Sequence, residues 1–246
     1  MAQEFATGLI KRDYAQFPSG CEASAPTAPD SLLVPENEWE ERLKEQKANK
    51  SSLLDLRNEN YAILKSLNQG QHPICWGFST TKAGMYLAVQ MGEPIVISPW
   101  FVAGMADNWR NRGGWNQMSL NTLATLGGPS MDSVPRYDSS LVTQAVKDEA
   151  AKTKIFEWWD GTQDRDRNRA LMISAFLLGK IPVLDLNWMG HSMCGCFLDS
   201  INPLVVYTDN SWGEISQYGP QGLYKLTGAH AIPDGLSIPR AITPRK

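Results

Sequence analysis

Residues 68–79, Asn-Gln-Gly-Gln-His-Pro-Ile-Cys-Trp-Gly-Phe-Ser, constrain this chain more than any other segment. A loop carrying Gly70 and Pro73 runs directly into residues 75–91, where Phe78, Ala83, Met85, Leu87, Ala88 and Met91 fall at helical spacing. The pattern predicts a largely buried helix with Cys75 at its start. At a helix N-terminus the backbone N–H groups lack intrahelical partners, and with the positive dipole end they favour a thiolate. Gln69, six residues upstream of Cys75, is placed to return a side-chain amide to the same spot. That amide and the Cys75 N–H would form a two-donor oxyanion hole. An isolated cysteine is ordinarily a buried, inert thiol, but the loop-to-helix context marks Cys75 as a nucleophile.

The bulk properties exclude several classes. A chain of 246 residues can bury one sizeable core or two modest lobes. With a net charge of −3 and no basic run, no nucleic-acid partner is expected. The first residues, MAQEFATGLIKRDY, lack the apolar h-region of a signal peptide, so classical secretion is not expected. The longest apolar stretch, 170–186, is broken by Gly179, Lys180 and Pro182, so no membrane partner is expected. Cys194 and Cys196, two apart in an expected strand, share a face in a geometry unsuited to an ordinary disulfide. With Cys21 and Cys75 they point to a reducing compartment, or one where disulfides were never needed. Cytoplasm or a virion particle is the expected setting. Three scattered histidines without CxxC or HExxH spacing predict no metal site, and no cofactor is expected.

Residues 1–52 read as an N-terminal arm: Ala, Pro, Ser and Gly to about residue 35, then a short charged helix, EERLKEQK. The arm is expected to pack on its own domain or on a neighbouring subunit or assembly. Residues 53–140 form a helical lobe carrying Cys75. Residues 141–246 supply a helix and a β-rich lobe carrying His191 and Asn210. Further helices are expected from Pro99, over 119–126, 142–160 and 166–178. Short strands are expected over 181–186, 192–198, 204–208 and 223–226. Helices followed by strands predict an α+β fold of two lobes with a cleft between them.

Three motifs, in chain order, resemble papain-like cysteine proteases. NQGxxxxCWxFS resembles the family's nucleophile region, Met189-Gly190-His191-Ser192-Met193 its histidine strand, and Asp209-Asn210-Ser211-Trp212-Gly213 its Asn-Ser-Trp-Gly. Looser similarities at 97–102, Arg112-Gly113-Gly114-Trp115, Gly127-Gly128, 134–137 and 222–226 extend it from about Asp55 to Ile232. The resemblance implies a helical N-terminal lobe and an antiparallel β-barrel-like C-terminal lobe flanking an active-site cleft. It implies Cys75 as nucleophile, His191 as base, Asn210 orienting the imidazole and Gln69 in the oxyanion hole. Trp212 would shield the His191–Asn210 bond. Gly113, Gly114, Trp76 and Trp212 would bind substrate, a protein or peptide whose bond is hydrolysed through a thioester.

The chain departs from that family in places. His72 stands where the family has a cysteine, and is expected to be a solvent-facing loop residue. The connection from the strand IPVLDLNW to His191 is very short, so part of the cleft wall is missing or rebuilt from elsewhere. The arm is shorter than the family's inhibitory pro-segments. Two further functions compete with peptide hydrolysis. One is a structural or assembly protein, for example of a phage particle, that retains the fold and binds through its arm. The other is acyl transfer to an amine, which Asn210 in place of an aspartate counts against.

Overall fold

The structure is a computed structural model that describes residues 6–11, 25–214 and 219–243. Cys21 lies outside the described residues. Eight α-helices are described: α1 (Trp39–Ala48), α2 (Leu53–Glu59), α3 (Tyr61–Leu64), α4 (Cys75–Gln90), α5 (Pro99–Asp107), α6 (Asn116–Thr125), α7 (Gln144–Ala150) and α8 (Arg165–Leu177). The strands are β1 (Ile155–Asp160), β2 (Val183–Leu186), β3 (His191–Ile201), β4 (Leu204–Asp209), β5 (Leu223–Thr227) and β6 (Gly235–Ile242). They form one antiparallel sheet in the order β1-β6-β2-β3-β4-β5. Helices packed on an antiparallel sheet are the expected α+β arrangement. The sheet is open, with β1 and β5 at its edges, rather than closed as a barrel.

Local chemistry fixes where the helices begin. Ser52 and Asp55 form a reciprocal capping box at α2, and the Ser98 hydroxyl accepts from Phe101 N ahead of Pro99 in α5. Asp164 accepts from Asp166 N and Arg167 N to start α8. Helix α4 differs: its N-cap, Ile74, offers no side-chain acceptor, so the Cys75 turn is not closed by a cap. Residues 75–89 of α4 are all buried, as befits a helix apolar on most of its faces. It packs against α5, α6 and β3 and forms the centre of the molecule.

Two sheet members differ from the sequence expectation. Residues 142–160 are not one helix: α7 stops at Ala150, and Ile-Phe-Glu-Trp-Trp-Asp extends as β1. Aromatic and β-branched residues with Glu157 exposed and Trp158 buried suit a pleated edge strand better than a helix face. β6 went unpredicted because Pro239 and weak alternation conceal it, yet it joins β1 to β2. Cys194 and Cys196 sit where β3 is covered on both faces, by α4 and by α8. Both thiols are buried and free, held protonated above the ordinary range first by burial and then by Asp209.

The described part of the arm from residue 25 packs on its own chain. Thr27 bridges Asp160 at the edge of β1, and Val34 N donates to Ser174 Oγ of α8. In α1, Trp39, Leu43 and Gln46 are buried, with Gln46 Nε2 donating to Phe176 O at 2.8 Å.

Candidate active site

Cys75 begins α4, His191 begins β3 and Asn210 follows β4; antiparallel pairing of β3 with β4 sets the last two side by side. His191 Nε2 and Asn210 Oδ1 are 2.8 Å apart, and both residues are buried. This bond fixes the imidazole, and Nδ1 is left with no hydrogen-bond partner among the described residues. The Trp212 ring lies 4.6 Å from the His191 ring at 33° and covers the pair. Loop 67–69 is tied to the Asn210 loop through the Asn68–Trp212 bridge and the bond from Gln69 N to Ser211 O. Ser211 Oγ donates to Gln69 Oε1, which turns the Gln69 amide nitrogen towards the cleft. The motif's serine thus acts as the holder of Gln69, a role the sequence did not reveal.

Behind the site lie two buried polar networks that the sequence did not single out. Asn116, at the start of α6, donates through Nδ2 to Asp185 Oδ1 at 2.7 Å and accepts from Ser192 Oγ at 2.7 Å. Ser79 of α4 joins it through Ser192 Oγ at 2.8 Å. Helices and sheet are thereby pinned together one residue from His191. The second network centres on Asp209, beside Asn210. Its carboxylate meets Arg57 Nε at 3.0 Å and Lys82 Nζ at 3.3 Å, and accepts from Ser66 Oγ at 2.7 Å. Burial lowers the Lys82 pKa while Asp209 opposes the shift. Polar residues at isolated helix positions give no sequence signal that they converge; only the packing of α2 and α4 on β3, which pairs with β4, brings them together.

Arm residues 6–11 lie in the cleft. The Ala6 carbonyl accepts from Gln69 Nε2 at 3.0 Å and from Trp212 Nε1 at 3.3 Å. Gly8 N and Leu9 N donate to Gly190 O, Gly114 N donates to Gly8 O, and Ile10 N donates to Gly114 O. The segment therefore runs parallel to the Gly114 backbone. A Cβ on Gly8 would stand 2.0 Å from Pro73 O, and one on Gly114 would stand 2.7 Å from the Trp76 ring, so both close approaches need glycine. Trp76 is fully buried beneath Gly114 and meets the cleft through it, rather than forming an open wall. His72 is half-buried, not solvent-facing: it bonds Asn111 Oδ1 and packs between Trp100 and Tyr137. An imidazole in an aromatic corner hides its apolar ring faces, an environment the loop sequence did not disclose.

With the segment in place Cys75 is wholly buried, and burial pushes its thiol up to about 12. The backbone N–H groups of Ser192, Gly8 and Trp76 favour the thiolate but do not offset burial, and the Asp185 charge works against it. Burial likewise lowers His191 to about 4, against the opposing Asn210 bond. Under the arm the thiol and the imidazole are therefore each uncharged, and His191 Nδ1 makes no hydrogen bond to Cys75.

A helix-borne cysteine and a histidine–asparagine pair on an antiparallel sheet, set at a cleft, define the papain-like class of fold, and this chain has that fold. Xylellain, a cysteine protease from Xylella fastidiosa, is similar over 96% of this chain and 96% of its own, with a TM-score of 0.66 and 14% identity. Procathepsin B S9 from Trypanosoma congolense is similar over 96% and 87%, with a TM-score of 0.67 and 11% identity. Digestive procathepsin L 3 from Tenebrio molitor larval midgut shares the fold at TM-score 0.60 and 16% identity, over 72% of this chain and 66% of its own. No family model matches the sequence. No curated protein matches it either.

Proposed function

We propose that the chain is a cysteine peptidase whose cleft is covered by its own arm. The observation that carries this is the convergence of Gln69, Cys75, His191, Asn210 and Trp212 around one segment of extended peptide. The cleft accepts polypeptide main chain through Gly114, Gly190 and Gln69, so a peptide is the substrate it suits. Moving the arm aside would admit water and relieve the burial that keeps both groups neutral. Cys75 would then pass its proton to His191, and the thiolate would attack a substrate carbonyl. The oxyanion would be held by Gln69 Nε2 and Cys75 N–H. His191 would protonate the leaving amine, and water would release the acid from the thioester.

The covering segment runs parallel to Gly114 and meets Cys75 through the Gly8 N–H rather than a carbonyl carbon, an arrangement suited to blocking rather than being cut. Incubation with a thiol-reactive peptidyl epoxide under reducing conditions tests the reading. Mass spectrometry is expected to find one adduct on Cys75, absent in Cys75→Ala and accelerated by Gly8→Leu. No adduct in the parent or in Gly8→Leu would favour a protein that keeps the fold for binding.

A further inference from the structure

His72 belongs to the loop that delivers Cys75, yet none of the steps above uses it. It bonds in two directions. Its carbonyl accepts from Gln69 Nε2 at 2.7 Å, which occupies one amide hydrogen and leaves the other for the cleft, where Ala6 O takes it. Its ring Nδ1 donates to Asn111 Oδ1 at 2.9 Å. Asn111 stands three residues before Gly114, whose backbone bonds the arm. We propose that His72 is a positioning residue: it ties the Gln69 oxyanion donor to the Gly114 edge and so fixes the two at one separation across the bound peptide. The inference rests on the peptidase reading above and deepens it.

The stretch that His72 meets would not hold its shape by itself. Asn108, Trp109 and Asn111 have φ of 57°, 58° and 51°, a left-handed conformation that side chains disfavour, tryptophan more than asparagine. Contacts from outside the stretch hold it. Asp107 accepts from Arg110 N at 3.3 Å and from Arg112 N at 3.1 Å. The Tyr137 hydroxyl accepts from Asn111 N at 2.9 Å and donates to Asp107 Oδ1 at 2.6 Å. These bonds fasten the stretch to α5 and Tyr137, but none of them reaches the loop of Gln69 and Cys75. The His72–Asn111 bond does. Trp100 and Tyr137 seat the imidazole for it, with ring centroids 5.3 and 5.2 Å away. Tyr137 thus braces both partners, with its ring on His72 and its hydroxyl on Asn111 N. The arm shows how closely the edge is set. Gly114 N donates to Gly8 O and Ile10 N to Gly114 O, each at 2.8 Å, and a Cβ on Gly113 would stand 2.8 Å from Gly8 O. A peptide that pairs there while its carbonyl oxygen lies on Gln69 Nε2 tolerates little change in the distance between them.

Full-length Gly8→Leu chains, where the arm is expected to leave the cleft, provide the test. Turnover of a mixed-sequence fluorogenic peptide pool is expressed per Cys75 titrated by the epoxide, so a misfolded fraction does not count. His72→Ala is expected to lower that turnover about 10-fold or more. His72→Gln, whose amide keeps a donor for Asn111 Oδ1, should restore most of it. A double-mutant cycle separates positioning from a general loss of structure. In a Gln69→Ala background His72→Ala should cost less than about 3-fold, since a tie to a missing donor fixes nothing. The full loss in both backgrounds, or no loss in either, overturns the inference while peptidase activity stands. Failure of the peptidase reading looks different: no peptide is turned over and Cys75 takes no epoxide. Amide hydrogen exchange on the full-length parent then decides. His72→Ala should speed exchange at Gly114 and Ile10 about 10-fold while the amides of β3 keep their rates, and His72→Gln should restore protection. Unchanged exchange at Gly114 and Ile10, or an equal rise in β3, overturns the inference.

Discussion

The chemistry of each proposed catalytic residue is set by where it is buried. Gln69 is held by Ser211 Oγ with its nitrogen in the cleft, so Gln69→Ala removes one oxyanion donor. In a chain with the arm released, kcat is expected to fall by about 10²–10³ with little change in KM, measured on a fluorogenic peptide. His191 carries a second prediction. Its folded pKa, about 4, lies below the unfolded value of about 6.5, so the stability it contributes is complete above pH 6.5 and lost as pH falls through 4. The loss is about 3 kcal/mol, and denaturant titration at pH 7 and pH 4 should show a smaller difference in His191→Gln than in the parent. The identity of these residues was legible in the three motifs. That Ser211 holds Gln69, or that Asn116 joins Ser192 to Asp185, was not, because serine and asparagine serve equally well on surfaces and in caps.

At the scale of elements, α4 is tethered to the sheet by charge as well as by apolar packing. Arg57 of α2 and Lys82 of α4 both converge on Asp209 of β4, away from solvent. Asp209→Asn would leave two buried cations without their counter-charge, an expected cost of about 3–5 kcal/mol in denaturant unfolding. A loss below 1 kcal/mol would show that the cations find other partners. Element boundaries were readable where caps or periodicity are strong, as at Pro99, Arg165 and Cys75. They were misread at β1, where tertiary pairing with β6 overrides the helical look of residues 151–160, and at β6, which its neighbours define.

For the whole molecule the decisive contact is between the first described residues and the cleft. Residues 6–11 join the loop of Gln69, the turn at Gly190 and the strand-like stretch at Gly114, and so span both sides of the site. Gly8→Leu should break this contact, since even a Cβ meets Pro73 O at 2.0 Å. Iodoacetamide alkylation of Cys75 at pH 7 is expected to quicken by about 10-fold or more in that variant, because the thiol is no longer desolvated and its pKa falls from about 12. An unchanged rate would mean that the segment does not govern access.

The amino-acid sequence by itself determined which residues are proposed to react, their order along the chain and the α+β class, because these depend on residue type and local pattern. Tertiary structure alone decided what surrounds them: that the arm's ATGLIK stretch enters the cleft and that the sheet stays open. Those features arise from contacts between segments more than 50 residues apart, such as Gly8 with Gly190 and Asn168 with Asp234. Burial, and with it the protonation state of Cys75 and His191, follows from those long-range contacts rather than from any local signal.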